Sequence, residues 1–331
     1  MYTFVRLDLE EWRDEGMKSV YHFCFSSDEV MFRSDEDYVR AFNCYALALL
    51  KTESLSLADA IMSNHFHAIV QTGDLASLVS SMRNSYTKYF NNKYCRRGRL
   101  GEKSYFSLEV KGTRHLLAAI SYVLRNPLHH GVSATPFGYK YSSINTIFKK
   151  ELGRCSDKFP LSSASGNISG QGKRIRKNLS KNRKERRLGL MFDGSGMLLR
   201  EQFTESAQVE LIYVSPRNFL YYMNRLSDLA WLKEQERDNN GVCPIDLSDI
   251  EYGTSLSPYE KMLVNERGRA DYDKISDSDL CSFIDTLCLK HYNGKSVYQL
   301  LQREREVVER ALFHEYHGLV PTEQLRRCLP R

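Results

Sequence analysis

The chain has 331 residues, of which 42% are hydrophobic and 27% charged, and this balance excludes a wholly disordered or fibrous protein. Its length exceeds that of one typical domain, so we expect two. The sequence has no run of about 18 apolar residues and no apolar segment typical of a secretory signal, so we expect no membrane span and no export. The eight cysteines form no CxxC pair, which is typical of reduced thiols in the cytoplasm.

The formal net charge is +6, but the charges are distributed unevenly along the chain. Between residues 173 and 187, nine of fifteen residues are Lys or Arg, whereas residues 228–285 carry fourteen acidic and six basic side chains. A basic run of this density favours a polyanionic partner, most often nucleic acid, with a steep dependence on salt. A solvated linker is the alternative. The residues of this basic arm that we expect to contact a DNA backbone are Lys173, Arg174, Arg176 and Lys177.

The first 150 residues alternate strand and helix signals in the order β-α-β-β-α-β-α. The predicted strands are residues 20–25, 55–62, 65–71 and 105–110, and the predicted helices are 34–49, 75–94 and 113–126. Ser34 precedes three acidic residues, as an N-cap does, Thr113 is expected to cap the third helix, and Pro127 is expected to end it. A hairpin with crossover helices predicts an α+β fold of ferredoxin-like type, in which an antiparallel sheet carries helices on one face.

A linker is predicted at residues 156–172, which are rich in Ser and Gly and lack hydrophobic periodicity. The following Gly172-Lys173 does not form a phosphate loop, because Arg174 stands where Ser or Thr is required. We therefore expect no nucleotide cofactor. The predicted organisation is an α+β domain at residues 1–150, a linker at 151–187 and a mostly helical domain at 188–331.

Two segments of the helical domain, residues 296–316 and 321–329, resemble the first two helices of a helix-turn-helix. A packing or dimerising bundle is the alternative interpretation. The acidic composition of residues 228–285 argues against contact with phosphates in that stretch. The sequence therefore leaves the role of the helical domain open.

A pair of histidines, His65 and His67, flanks Phe66 on the third predicted strand. Residues i and i+2 of a strand point to one face, so both imidazoles share a face and Phe66 points to the other. Two neutral imidazoles suit a divalent cation, whose open positions would accept a phosphate oxygen. The alternative is a pair of structural histidines that are satisfied by hydrogen bonds.

Tyr122 and Asn126 are four residues apart on the third predicted helix, so they stack on one side of it. Both lie away from the stripe formed by Leu116, Ile120 and Val123, where a core tyrosine would be expected. Small residues beside Tyr122 are expected to leave space for a substrate. A surface tyrosine is the alternative interpretation.

The remaining tyrosines and histidines have simpler interpretations. Tyr86 and Tyr89 lie on the apolar stripe of the second predicted helix, which indicates core packing. His129 and His130 follow the proline that is expected to end the third helix, so they could contact phosphate, but a solvated turn is favoured. Two further histidines, His22 and His115, have no partner at a useful spacing.

Two stretches resemble a known family. Residues 62–70 (MSNHFHAIV) are similar to the M-P-N-H-x-H-hydrophobic signature of the single-tyrosine HUH transposases, and residues 121–128 (SYVLRNPL) to the Y-I-x-x-N-P segment of their REP-associated branch. Residues 85–91 and 137–143 match the same branch, so the resemblance covers about residues 16–150. The departures are serine for proline at position 63 and valine for isoleucine at position 123, neither of which removes a reactive group.

The resemblance implies a metal-dependent endonuclease and strand transferase that cleaves single-stranded DNA near foldback hairpins through a covalent 5′-phosphotyrosine. His65, His67 and Asn126 would bind Mg²⁺ or Mn²⁺, and Tyr122 would be the nucleophile. The phosphotyrosine would conserve the energy of the cleaved bond, so rejoining would need no ATP. Further expected DNA contacts are Lys88, Asn91, Arg96, Arg97 and Arg99.

We expect a cytoplasmic, nucleoid-associated monomer or homodimer whose partner is hairpin-forming single-stranded DNA rather than a membrane. One alternative is a replication or mobilisation nickase with the same site. The other is a domesticated hairpin-binding protein that has lost strand transfer. The intact set of His65, His67, Tyr122 and Asn126 argues against the second alternative.

Overall fold

The computed structural model describes residues 18–130, 132–133, 135–153, 190–224 and 275–330. The predicted linker, the basic arm at residues 173–187 and most of the acidic segment lie outside the described residues. The N-terminal elements follow the predicted order, and each observed strand end lies within one residue of its predicted position. These elements are β1 (Ser19–Ser26), α1 (Asp35–Thr52), β2 (Leu55–Ile61), β3 (His65–Thr72), α2 (Leu75–Lys93), β4 (Phe106–Glu109) and α3 (Thr113–His129).

The four strands form one antiparallel sheet in the order β2-β3-β1-β4. The two central strands, β1 and β3, pair in a register that places Cys24 opposite His67 and His22 opposite Ile69. The pairing of β2 with β3 is the predicted hairpin, and β4 adds to the free side of β1. This topology is that of a ferredoxin-like sheet and confirms the predicted α+β class.

Both faces of the sheet are covered, and every residue of β3 is buried. Phe66 and Val70 pack against α1 and α2, whereas Ile69 and Leu57 pack against α3 on the other face. The expectation of helices on one face therefore needs one correction: it holds for α1 and α2, while α3 lies on the opposite face. The reason is that α3 follows the edge strand β4 and buries its own apolar stripe there.

Helices α1 and α2, which cover the face of the sheet that carries Phe66, both begin at polar N-caps. Ser34 is the N-cap of α1, as predicted, and its backbone N–H donates to Asp37 Oδ2 at 3.0 Å. The carboxylate of Asp74 caps α2 by accepting from the N–H of Ser77 at 2.9 Å. Acidic groups at these ends are favourable because the first turn exposes unpaired N–H donors.

Helix α3 differs from its prediction at both ends. Its N-cap is Gly112 rather than Thr113, and the φ of Gly112 is +84°, in the region that favours glycine. The helix also continues through Pro127 to His129. Pro127 lacks one backbone donor and its ring crowds the carbonyl four residues before it, but these effects fall in the last turn, so the helix continues for two more residues.

Residues 190–224 pack on the sheet domain and include α4 (Ser206–Tyr213) and α5 (Pro216–Met223). Asn43 of α1 holds the start of this segment, because its Nδ2 donates to the carbonyl of Gly196 at 3.0 Å and its Oδ1 accepts from the N–H of Leu198 at 2.7 Å. Val209 and Phe219 extend the core around α3. Helix α3 is therefore covered by the sheet on one side and by α4 and α5 on the other. The domain boundary expected at residue 188 stays a prediction.

Residues 275–330 contain α6 (Asp277–His291), α7 (Gln302–Glu315) and α8 (Thr322–Cys328), which pack around a hydrophobic cluster that also includes Val30. The helix predicted at 296–316 is divided into a short 3-10 turn (Val297–Gln299) and α7. The division lies at Leu300 and Leu301, whose backbone is extended. Among the helices that the structure describes, none is long and apolar enough to cross a membrane.

The C-terminal helices dock on the turn between β2 and β3, next to the paired histidines. Ser63 Oγ donates to Asp277 Oδ2 at 2.8 Å, and the guanidinium of Arg327 donates to both oxygens of the same carboxylate at 2.9 and 3.0 Å. A second contact joins Arg33 to the carbonyl of Cys328 at 2.7 Å. The serine that departs from the family signature at position 63 is thus a docking residue for α6.

Arg327→Met is expected to destabilise the protein by about 3–5 kcal/mol, because it leaves the carboxylate of Asp277 buried without its cation. The exposed ion pair of Lys140 with Asp35 supplies the control, since Lys140→Met should cost less than about 1 kcal/mol. Urea denaturation of the full chain measures both changes. Equal losses in the two variants would show that the Asp277–Arg327 pair does not hold the C-terminal helices in place.

Candidate functional site

The structure brings the four predicted site residues together between β3 and α3. His65 and His67 point from β3 toward α3, and His65 Nε2 lies 2.8 Å from Asn126 Oδ1. The rings of His67 and Tyr122 meet edge to face with centroids 5.6 Å apart. The two histidines, two residues apart on β3, therefore face the tyrosine and the asparagine, four residues apart on α3, across one site.

Tyr122 is not the surface residue that the alternative interpretation requires, because its side chain is only 5% exposed. The helical wheel places it off the apolar stripe of α3, but in the structure it belongs to the buried cluster around that helix and faces histidines of the sheet. The expected free space beside it is also occupied: Ser121 Oγ lies 2.7 Å from the hydroxyl of Tyr213 in α4. The site is therefore nearly closed to solvent in this structure.

Three further histidines surround the site, and the sequence patterns did not assign them to it. His22 on β1 places Nε2 at 3.0 Å from His67 Nδ1, so one proton is shared between the two rings. The ring of His129 lies 5.5 Å from that of Tyr122, and the ring of His130 lies 5.4 Å from that of His65. His130 is buried, so the expectation of a solvated turn is wrong for it, because α3 runs on past the proline. Strand alternation could have identified His22, because adjacent strand residues point to opposite faces and His22 therefore lies on the face opposite Phe23.

Burial keeps the central imidazoles neutral. Desolvation lowers the pKa of His65 to about 4 and that of His22 to about 3, and it lowers the pKa of His67 well below its ordinary value, with smaller contributions from neighbouring histidines. A neutral imidazole offers a lone pair to a cation or a proton. The site is therefore in the protonation state that metal binding requires.

These lowered pKa values predict that the metal-free protein loses stability as the pH falls from about 6.5 toward 4. In that range the histidines are protonated in the unfolded chain but not in the folded chain. The free energy of unfolding therefore falls by about 1.4 kcal/mol per pH unit for each buried histidine. Urea denaturation in the presence of a chelator measures the slope. His67→Gln should reduce it by about 1.4 kcal/mol per pH unit, and an unchanged slope would contradict the assignment.

The residues present fit a divalent cation. His67 Nε2 is buried and has no hydrogen-bond partner within the described part of the chain, and His65 Nε2 and Asn126 Oδ1 lie side by side. No group of three or more His, Cys, Asp and Glu residues that could hold a metal is found in the described ranges. The ligand set would therefore be two imidazoles and one amide oxygen, which suits Mn²⁺, or Mg²⁺ that retains several waters.

Of the rival tyrosines, Tyr86 is a core residue, as expected, and Tyr89 is partly buried against the same core. Tyr86 is buried and its hydroxyl donates to the carbonyl of Met31 at 2.6 Å. The hydroxyl of Tyr89 donates to Asp37 Oδ1 at 3.0 Å. Burial, followed by the charge of Asp37, raises the pKa of both phenols, which disfavours either as a nucleophile.

The expected DNA contacts divide into two groups. Lys88, Arg97 and Arg99 are exposed, and the two arginines line a cleft of about 670 Å³. Arg96 lines the same cleft but pairs with Glu29, and Asn91 holds the turn that follows α2, because its Nδ2 donates to the carbonyl of Gly98 at 2.7 Å. The residues expected in the basic arm, Lys173, Arg174, Arg176 and Lys177, lie outside the described residues.

No protein-family model and no curated protein sequence matches the chain. The chain is similar in structure to a REP-associated tyrosine transposase bound to a REP hairpin, with 16% sequence identity and a TM-score of 0.34. The similarity covers 46% of this chain and 87% of that chain. At these values the likeness is distant, and the geometry of the site described above stands independently of it.

Proposed function

We propose that this protein is a metal-dependent endonuclease and strand transferase that acts on single-stranded DNA near foldback hairpins, with Tyr122 as its nucleophile. The observation that carries the proposal is the convergence of two neutral imidazoles, an amide oxygen and a tyrosine ring between β3 and α3. His67 Nε2 has no hydrogen-bond partner among the described residues, so its lone pair is open to a cation. The family resemblance of residues 62–70 and 121–128 agrees with this function.

In this proposal His65, His67 and Asn126 hold the cation and Tyr122 attacks the phosphodiester. The bound cation would neutralise the phosphate and stabilise the charge that develops in the transition state. The phenol oxygen forms a bond to phosphorus while the bond to the 3′ oxygen breaks, which leaves a 5′-phosphotyrosine and a free 3′-OH. The imidazole of His129, which is in ring contact with Tyr122, would accept the phenol proton and return it to the departing 3′ oxygen.

A second candidate function is favoured by the burial of the site. Tyr122 is only 5% exposed and Asn126 is fully buried, so DNA reaches the site only if covering residues move. A protein that binds hairpins without strand transfer would need no such movement. The exposed cations Lys88, Arg97 and Arg99 would serve binding under either function.

The test is cleavage of an end-labelled hairpin oligonucleotide by the full chain, with Mn²⁺, with Mg²⁺ or with a chelator. We expect cleavage and a covalent adduct only with metal, and joining of the product to a second oligonucleotide. An oligonucleotide of the same composition without a hairpin is the control. Hairpin binding without cleavage under any condition would overturn the first function and support the second. Cleavage without joining would indicate a nickase instead.

A further inference from the structure

Asn64, the residue before His65, is held in one orientation by the neighbouring chain. Its side-chain Nδ2 donates to the backbone carbonyl of Ser27 at 3.1 Å, and the N–H of Ser27 donates to the backbone carbonyl of Asn64 at 2.9 Å. A carbonyl oxygen only accepts hydrogen bonds, so the amide nitrogen of Asn64 must face Ser27. Its oxygen, Oδ1, then faces His65 Nδ1 at 2.9 Å.

This orientation decides where the proton of His65 lies. Asn64 Oδ1 is an acceptor, so His65 Nδ1 must be the donor, and a neutral imidazole then has a lone pair on Nε2. Nε2 faces Asn126 Oδ1 at 2.8 Å, and both atoms are then acceptors. Rotating the amide of Asn126 would bring its nitrogen to the same place, but His65 Nε2 would still be an acceptor. The conclusion is therefore independent of the orientation of Asn126.

We propose that Asn64 is a positioning residue that fixes His65 in the tautomer whose Nε2 lone pair points at the metal site. Without Asn64, the ring would be free to carry its proton on Nε2 and donate it to Asn126 Oδ1. This single hydrogen bond would engage both His65 Nε2 and Asn126 Oδ1, so neither atom would be free to bind the cation. Partners that orient a ligating histidine in this way typically contribute a factor of about 10–100 to metal affinity.

The use of this lone pair rests on the proposed function, but the tautomer itself is measurable without metal or DNA. ¹⁵N NMR of the metal-free full chain, with the signals of His65 assigned from the His65→Gln variant, should show a protonated Nδ1 and an unprotonated Nε2. Asn64→Leu should move the proton to Nε2. Asn64→Asp should preserve the wild-type tautomer, because one carboxylate oxygen still accepts from Nδ1, while the loss of the hydrogen bond to the carbonyl of Ser27 should lower only the stability. A protonated Nε2 in the wild type, or an unchanged tautomer in Asn64→Leu, would overturn the proposal.

Mn²⁺ titration of the same proteins gives the second readout. Asn64→Leu should weaken Mn²⁺ binding about 10–100-fold, and Asn64→Asp should restore it. Asn145→Leu is the control, since that amide donates to the carbonyl of Phe137 at 3.2 Å, away from the histidines, and should leave the affinity unchanged. Loss of binding in Asn64→Asp with the tautomer retained would overturn the positioning role. A wild type that binds no Mn²⁺ would instead overturn the proposed function, while the NMR result would still decide the tautomer.

Discussion

Tyr122→Phe is expected to abolish the covalent protein–DNA adduct while leaving the fold and hairpin binding unchanged. Phenylalanine keeps the ring, whose centroid lies 5.6 Å from that of His67 and 5.5 Å from that of His129. The substitution therefore removes the proposed nucleophilic oxygen and retains the packing. A denaturing gel with labelled single-stranded DNA and Mn²⁺ measures the adduct, which should fall below detection.

Tyr86→Phe and Tyr89→Phe are the matched controls, and both should form the adduct. Each loses one hydrogen bond, to the carbonyl of Met31 or to the carboxylate of Asp37, at a cost of about 1–3 kcal/mol in stability. Circular dichroism checks that all three variants are folded. A persistent adduct in Tyr122→Phe, or loss of the adduct in Tyr86→Phe alone, would show that Tyr122 is not the nucleophile.

His65→Ala and His67→Ala should each reduce cleavage by about 10³-fold or more, because the proposed cation supplies several kcal/mol of transition-state stabilisation. Hairpin binding should change little, since backbone contacts elsewhere on the protein would supply most of the affinity. Cleavage of the labelled hairpin and a gel-shift titration of the same DNA measure the two effects separately. Mn²⁺ titration should show that both variants lose the metal.

His291→Ala is the control for these variants, because His291 is an exposed residue in the last turn of α6 and is not one of the site histidines. It should cleave and bind like the wild type. Full cleavage by His65→Ala or His67→Ala would remove the histidines from the mechanism. Equal losses of binding and cleavage would instead indicate that these histidines support the DNA-binding surface or the fold.

Local patterns in the sequence determined the sheet and the composition of the proposed site. The alternation of β3 alone places His65 and His67 on one face and Phe66 on the other, because successive strand residues point to opposite sides. The spacing of Tyr122 and Asn126 places both on one side of α3 for the analogous helical reason. The rival Tyr86 was assigned to the core from its place on an apolar stripe, and the structure confirms that assignment.

Only the tertiary structure decided how deeply the site is buried and what supports it. Residues far apart in sequence make these contacts: His22 and His67 are 45 residues apart, and Ser63 and Asp277 are 214 apart. Periodicity reports which residues share a face of their own element, but not which other element covers that face. The position of α3, the closure around Tyr122 and the docking of α6 beside His65 therefore follow from packing between distant segments, which no local pattern encodes.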